Sequence, residues 1–226
     1  MNDISIKRIK NILCLAEQGV QTIPYDKVEV MADGPNGIRQ VTLSIGFTQY
    51  GGNLGKVLVE YNRRGGQLGA ELSGYKMNNS GLPSNAQFKA LLKKAGNDPV
   101  MQATQEDLYT SLYIGPAIRW GEAEGFVEPL SYLVMCDSFL HSGSILGFLR
   151  QRFAEKTPKA GGLEKVWIRD YVNARHAWLA GHASQLLQNT VYRTNYLKAL
   201  IAKEDWGMDS ANTVAMNGIM PTHYVG

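Results

Sequence analysis

Two carboxylates near the start of the chain have the type and order needed to cleave a bond between sugars. Glu17 closes a stretch with apolar residues at helical spacing, and Asp33 opens the Gly-rich turn Asp33-Gly-Pro-Asn-Gly37. Thr42 follows in Thr42-Leu-Ser-Ile-Gly46-Phe47, which reads as a short strand ending in glycine. Hydrolysis of a glycosidic bond takes one carboxyl to protonate the leaving oxygen. A second, across the sugar, activates water or attacks directly. A helix end facing a small sheet would set two such groups on opposite walls of a cleft. Acid pairs at this separation are common on solvated surfaces, so the order gains weight only from what surrounds it.

The elements that must position these groups follow from periodicity. Ile6, Ile9, Leu13 and Ala16 share one helical face over residues 4–17, and Gly19 supplies a stop. Residues 20–47 interleave Val28, Val30, Val41, Leu43 and Ile45 with polar residues, which predicts two or three short strands. Asn53 is placed to cap a helix over Leu54–Asn62, and Ser84 or Asn85 to start one over Gln87–Lys94. Asp98-Pro99 pairs a cap with a first-turn proline and opens a helix through Leu112 or beyond. Further helices are expected from Glu128-Pro129 to His141, and over Ile145–Phe153, Leu163–Leu179 and Arg193–Lys203. The tail from Glu204 has acids but no Lys or Arg and reads as surface coil. The class is therefore α+β, mostly α-helical, with one small N-terminal antiparallel sheet.

Composition excludes several classes. With 226 residues, 44% hydrophobic and 19% charged, the chain can bury a substantial core. Its 23 Lys+Arg against 20 Asp+Glu give a net charge of +3, too balanced for a dedicated nucleic-acid binder. No apolar stretch approaches the ~18 residues of a membrane span. Lys7, Arg8 and Lys10 ahead of residues 11–16 outline a leader-like start, but the apolar part is short and Glu17 interrupts it. Cys14 and Cys136 both fall in apolar helical patterns and read as buried thiols. His141, His176, His182 and His223 lack metal-ligand spacing, so no metal and no cofactor is expected; His141 reads as a core or capping histidine. Gly51-Gly-Asn-Leu-Gly-Lys56 misses the first glycine and the Ser/Thr of a phosphate loop. Tyr50, Trp120 and Trp206 could stack on sugars, though the core is the commoner place for each.

Residues 16–47 resemble the N-terminal catalytic segment of the glycoside hydrolase family 46 chitosanases. Glu17, Tyr25, Glu29 and Asp33 match that family's pattern without a gap, and Thr42 matches after a longer turn. A second patch, Val134-Met-Cys-Asp137-Ser-Phe-Leu-His141-Ser-Gly143, resembles the family's central helix, with Arg175 and Arg193 matching two arginines that pair with its Asp. The family belongs to the lysozyme superfamily. The resemblance thus implies a single domain over 1–226 with a lysozyme-like two-lobed fold. Its small sheet-bearing lobe would cover about 18–50, the helices would form the other lobe, and a substrate cleft would lie between them.

The same resemblance implies Glu17 as general acid, Asp33 as general base, and Thr42 as holder of the attacking water. The mechanism would be inverting and endo-acting on β-1,4 linkages of an amino-sugar polymer. Tyr25, Glu29 and Asn53 would contact substrate, and Asp137, Arg175 and Arg193 would form a buried ion-pair network supporting the cleft, since an unpaired charge on a buried helix is costly. The turn departs from the family's Asp-Gly-Arg-Gly, which leaves the contacting Arg missing or displaced to Arg39, and Asn53 stands where the family has an acid. Chitosan is polycationic and calls for an acidic cleft. At net +3, peptidoglycan therefore stays open as the substrate of a muramidase on the same scaffold, and a non-catalytic saccharide-binding protein is the third reading. The polysaccharide is the expected partner of a monomer that meets neither nucleic acid nor membrane. It would be exported without a recognisable signal in this chain, or cytoplasmic.

Overall fold

A computed structural model describes residues 3–51, 53–209 and 211–221, with the side chains of residues 3 and 4 left aside. The chain divides into two compact units, one joining Met1–Thr22 to Ser111–Gly226 and the other spanning Ile23–Thr110. The sheet-bearing unit thus extends well past residue 50. Helix α1, Asp3–Gln18, realises the first apolar stripe: Ile9, Ile12, Leu13, Leu15 and Ala16 are buried.

In the unit Ile23–Thr110, β1 (Val28–Met31), β2 (Gln40–Leu43) and β3 (Phe47–Thr48) form an antiparallel three-stranded sheet in the order β1-β2-β3. The register sets Glu29 opposite Thr42, Val30 opposite Val41, Met31 opposite Gln40, and Thr42 opposite Thr48. Because side chains alternate along a strand, one face carries Val28, Val30, Val41 and Leu43, and the other carries Glu29, Gln40, Thr42 and Thr48, with Met31 exposed at its edge. Helices α2 (Asn53–Arg63), α3 (Gly69–Ser73), α4 (Ala86–Ala95) and α5 (Pro99–Tyr109) complete the unit. The expected caps at α4 and α5 form. Asn85 Oδ1 accepts from Phe88 N at 2.9 Å, and Asp98 Oδ1 accepts from Val100 N at 2.9 Å. Asn53 is itself the first helical residue of α2, so the capping position expected of it falls on residue 52, outside the described residues.

The helical run that starts at Pro99 continues through a π turn, Thr110–Ile114, into α6, Gly115–Ala123. Pro116 has no N–H to offer the preceding turn, which accounts for the irregularity there. Helix α7, Pro129–Ser142, is buried along Leu130–Ser138 and has no polar stripe, as a central helix must. It packs against α1 and α6. A Cβ on Gly121 of α6 would come within 2.7 Å of the Met135 methyl and 2.9 Å of the Tyr132 ring, so a larger residue there would have to displace those side chains.

Helices α8 (Gly147–Arg150), α9 (Glu164–Ala180), α10 (Gln185–Gln188) and α11 (Val191–Ala202) follow. The helix expected over Ile145–Phe153 is thus a single turn. Arg150 donates its side chain to the Phe153 and Glu155 carbonyls at 2.8 and 2.6 Å, which replaces a continued ladder. The tail is not surface coil throughout, because Trp206, Met208, Ala211, Val214 and Met216 are buried. Cys14 and Cys136 are free, buried thiols.

Candidate active site

The final turn of α1 presents Glu17, whose side chain is 26% exposed. Two consecutive residues of α11 grip that turn. Tyr192 donates its hydroxyl to the Ala16 carbonyl at 2.5 Å, and Arg193 Nη1 donates to Glu17 Oε1. Arg193 also reaches Asp137 of α7, through Nε at 2.9 Å and Nη2 at 2.6 Å. The other Asp137 oxygen accepts from Arg175 Nη1 of α9.

The result is a chain of alternating charge, Glu17–Arg193–Asp137–Arg175. Arg193, Asp137 and Arg175 are almost fully buried, and each of these buried charges has a partner of opposite sign. Burial pushes the Asp137 carboxyl up, but Arg193 and Arg175 outweigh it and hold it well below the usual carboxylate range. His141 lies one turn further along α7. Burial, with the positive charges of Arg193 and Arg175, lowers it to about 4, so it is neutral at ordinary pH. Asp137, Arg175 and Arg193 therefore come together as expected, and they also reach Glu17.

The second carboxylate stands on the polar face of the sheet. Asp33 is exposed on the turn leaving β1, and its Oδ1 accepts from Gln40 Nε2 at 3.0 Å. The turn is closed by Gly34 N–H donating to Ile38 O at 3.0 Å, and a Cβ on Gly34 would lie 2.6 Å from that oxygen. Thr42 is 9% exposed, and its Oγ1 is buried with no hydrogen-bond partner among the described residues. Glu29, opposite Thr42, is 41% exposed and pairs with Lys27 at 3.0 Å.

The remaining candidates lie in the same unit as Asp33. Tyr25 donates its hydroxyl to Glu106 Oε1 at 2.8 Å, and Asn53 Oδ1 accepts from Lys56 Nζ at 3.3 Å. Trp206 is a core residue, 4% exposed, with its indole N–H donating to Glu204 at 2.7 Å. Trp120 stacks on Phe126 with ring centroids 5.8 Å apart, within the aromatic cluster that contains Trp167. Among the described residues no three His, Cys, Asp or Glu side chains are grouped to hold a metal ion, and His223 lies outside them. Sequence reasoning missed Tyr192 and Gln40. The second had a signal, since a residue two before Thr42 in a strand must share its face.

In the first unit a carboxyl is held by a buried guanidinium, and in the second a carboxyl is held by a buried amide. The family model for glycosyl hydrolase family 46 matches residues 11–210, which include every candidate above. A chitosanase from Bacillus subtilis (strain 168) is 24% identical over 236 residues, covering 96% of this chain and 84% of its own. Among solved structures, the native chitosanase of Bacillus subtilis MY002 matches with a TM-score of 0.76 at 22% identity, over 92% of each chain. A mutant of that enzyme complexed with 6 GlcN matches with a TM-score of 0.78 over the same shares, at 22% identity. A Gynuella sunshinyii family 46 chitosanase in complex with chitotetraose matches at 0.70 and 18% identity, over 92% of each chain.

Proposed function

The chain belongs to glycosyl hydrolase family 46, and from that premise we propose that it is an endo-acting chitosanase that cleaves β-1,4 linkages with inversion. Glu17 is the general acid, Asp33 the general base, and Thr42 the residue that steadies the water. The observation that carries this reading is the family match itself, over residues 11–210.

In the reaction, Glu17 gives its proton to the glycosidic oxygen as the bond from C1 to that oxygen breaks. Asp33 takes a proton from water, whose oxygen forms the new bond to C1 from the opposite face. The attacking water must fit between carboxyl and sugar, which requires the two carboxyls about 6.5–9.5 Å apart or more in the working enzyme. As Glu17 loses its proton, the charge that develops meets a guanidinium already in place, at no cost of reorganisation. Asp137 and Arg175 hold that guanidinium in turn. Thr42 Oγ1 is buried and has no hydrogen-bond partner among the described residues, and a water held in the loaded site would supply one.

The substrate reading rests on the same match and on charge. Chitosan presents ammonium groups, and Glu29 can exchange its exposed partner Lys27 for one at little cost, because such surface pairs contribute little. Tyr25 and Asn53 are the other proposed contacts. A polymer of this size is met outside the cell, which supports an exported enzyme, and acid, base and threonine on one chain support action as a monomer.

The test is hydrolysis of chitosan and, separately, of bacterial wall sacculi, with Glu17→Gln alongside. Reducing ends released from chitosan, and lost by roughly 10²–10⁴-fold in Glu17→Gln, are the expected result. Clearing of sacculi alone would overturn it.

A further inference from the structure

Asp33 is an exposed side chain held by a buried one. Gln40 is 4% exposed, and its carboxamide has two partners of opposite kind. Its Nε2 donates to Asp33 Oδ1 at 3.0 Å, and its Oε1 accepts the backbone N–H of Tyr50 at 3.1 Å. Because a backbone N–H can only donate, the amide oxygen must face Tyr50 and the NH₂ must face Asp33. Turning the amide over would set oxygen against carboxylate and NH₂ against N–H, losing both bonds.

The base of this side chain is fixed too. Gln40 pairs with Met31 in the β1–β2 register, just before Asp33 leaves the sheet. The turn between them is pinned by the Gly34–Ile38 bond at 3.0 Å. It also needs left-handed backbone at Asn36 and Gly37, with φ of 57° and 75°. Among the described residues, Gln40 is the one hydrogen-bond partner of the Asp33 carboxylate.

We propose that Gln40 is a positioning residue for hydrolysis: by holding Oδ1 it turns Oδ2 of Asp33 toward the attacking water. This rests on Asp33 being the general base. Its physical content is that a general base on an exposed turn would otherwise sample many rotamers, of which few accept the water's proton. Gln49 supplies the contrast. It is equally buried in the same sheet region, but it bonds only backbone groups: Val41 N–H at 3.3 Å and the carbonyls of Met77 and Asn79, both at 2.9 Å.

The experiment measures kcat and KM on soluble glucosamine oligomers for four variants, each below its own melting temperature. Gln40→Met removes both bonds. Gln40→Glu, assayed well above the carboxyl range so that it is ionised, keeps an acceptor for Tyr50 and removes the N–H aimed at Asp33. Both should lower kcat by roughly 10–10²-fold with KM within about twofold. Gln49→Met should lower the melting temperature and leave kcat within about twofold. Asp33→Asn should abolish turnover. If Asp33→Asn is inactive while both Gln40 variants keep wild-type kcat, the positioning role is wrong and the base assignment stands. A loss in Gln40→Met that Gln40→Glu does not share would trace to the Tyr50 bond and also overturn the proposal. Wild-type kcat in Asp33→Asn would remove the base assignment, and the proposal with it.

Discussion

Arg193→Met tests the charge chain that ends on Glu17. Arg193 is 2% exposed and bridges Glu17 to Asp137, which is 5% exposed. Removing one partner of a buried ion pair costs about 3–5 kcal/mol, because the other charge stays buried without it. Asp137 keeps Arg175, which places the expected loss near the lower end, about 3 kcal/mol. For a chain of this size each kcal/mol moves the melting temperature by about 2–4 °C, so a drop of about 6–12 °C is expected. Calorimetry or circular dichroism reads that drop. Steady-state assay should show kcat down roughly 10²-fold, since Glu17 loses the group that aims it. Arg193→Lys keeps charge but not the planar fork, and should fall between. Combining Arg193→Met with Asp137→Asn should destabilise by less than the sum of the two, with a coupling of about 1–3 kcal/mol. A melting temperature within about 2 °C of wild type in Arg193→Met, together with unchanged kcat, would refute the view that this chain of charges holds the acid.

Thr42→Val should melt no lower than wild type, because the buried Oγ1 has no partner among the described residues to lose, while kcat falls roughly 10²-fold. Stability should also fall between pH 6.5 and 4, read as the urea midpoint. His141 is lowered to about 4 in the fold, so over that window the unfolded chain binds the proton first, at a cost of up to roughly 3 kcal/mol. His141→Gln should flatten the slope. Asp137 acts in the same direction at lower pH: its contribution is present above its unfolded value and is lost as pH falls through its depressed one. Glu29→Gln should raise KM on chitosan several-fold with kcat nearly unchanged, since its exposed carboxylate is proposed to bind rather than react.

What was legible in the sequence was whatever leaves a local trace. The alternation of Val28, Val30, Val41 and Leu43 marked the strands and the apolar face they share, and Asn85 and Asp98-Pro99 marked helix starts by their caps. The apolar run around Asp137 implied a helix, and the family resemblance marked it as the central one with two arginine partners. Long-range pairing left no such trace. Arg193 and Glu17 are 176 positions apart, and nothing near either says that one guanidinium serves both Glu17 and Asp137. The one-turn α8 was overextended because apolar spacing cannot show that Arg150 takes the carbonyls of Phe153 and Glu155. The tail was misjudged for a related reason. Its buried residues Trp206, Met208 and Val214 follow neither helical nor strand period, so only the packed structure shows them as core.

The central claim is that Glu17 and Asp33 hydrolyse a β-1,4-linked glucosamine chain with water as the direct nucleophile. Proton NMR of the first products, recorded before the anomers equilibrate, tests it most directly. New reducing ends in the α configuration, absent in Glu17→Gln and in Asp33→Asn, are the result this mechanism predicts. New ends in the β configuration would show retention through a covalent intermediate and contradict it.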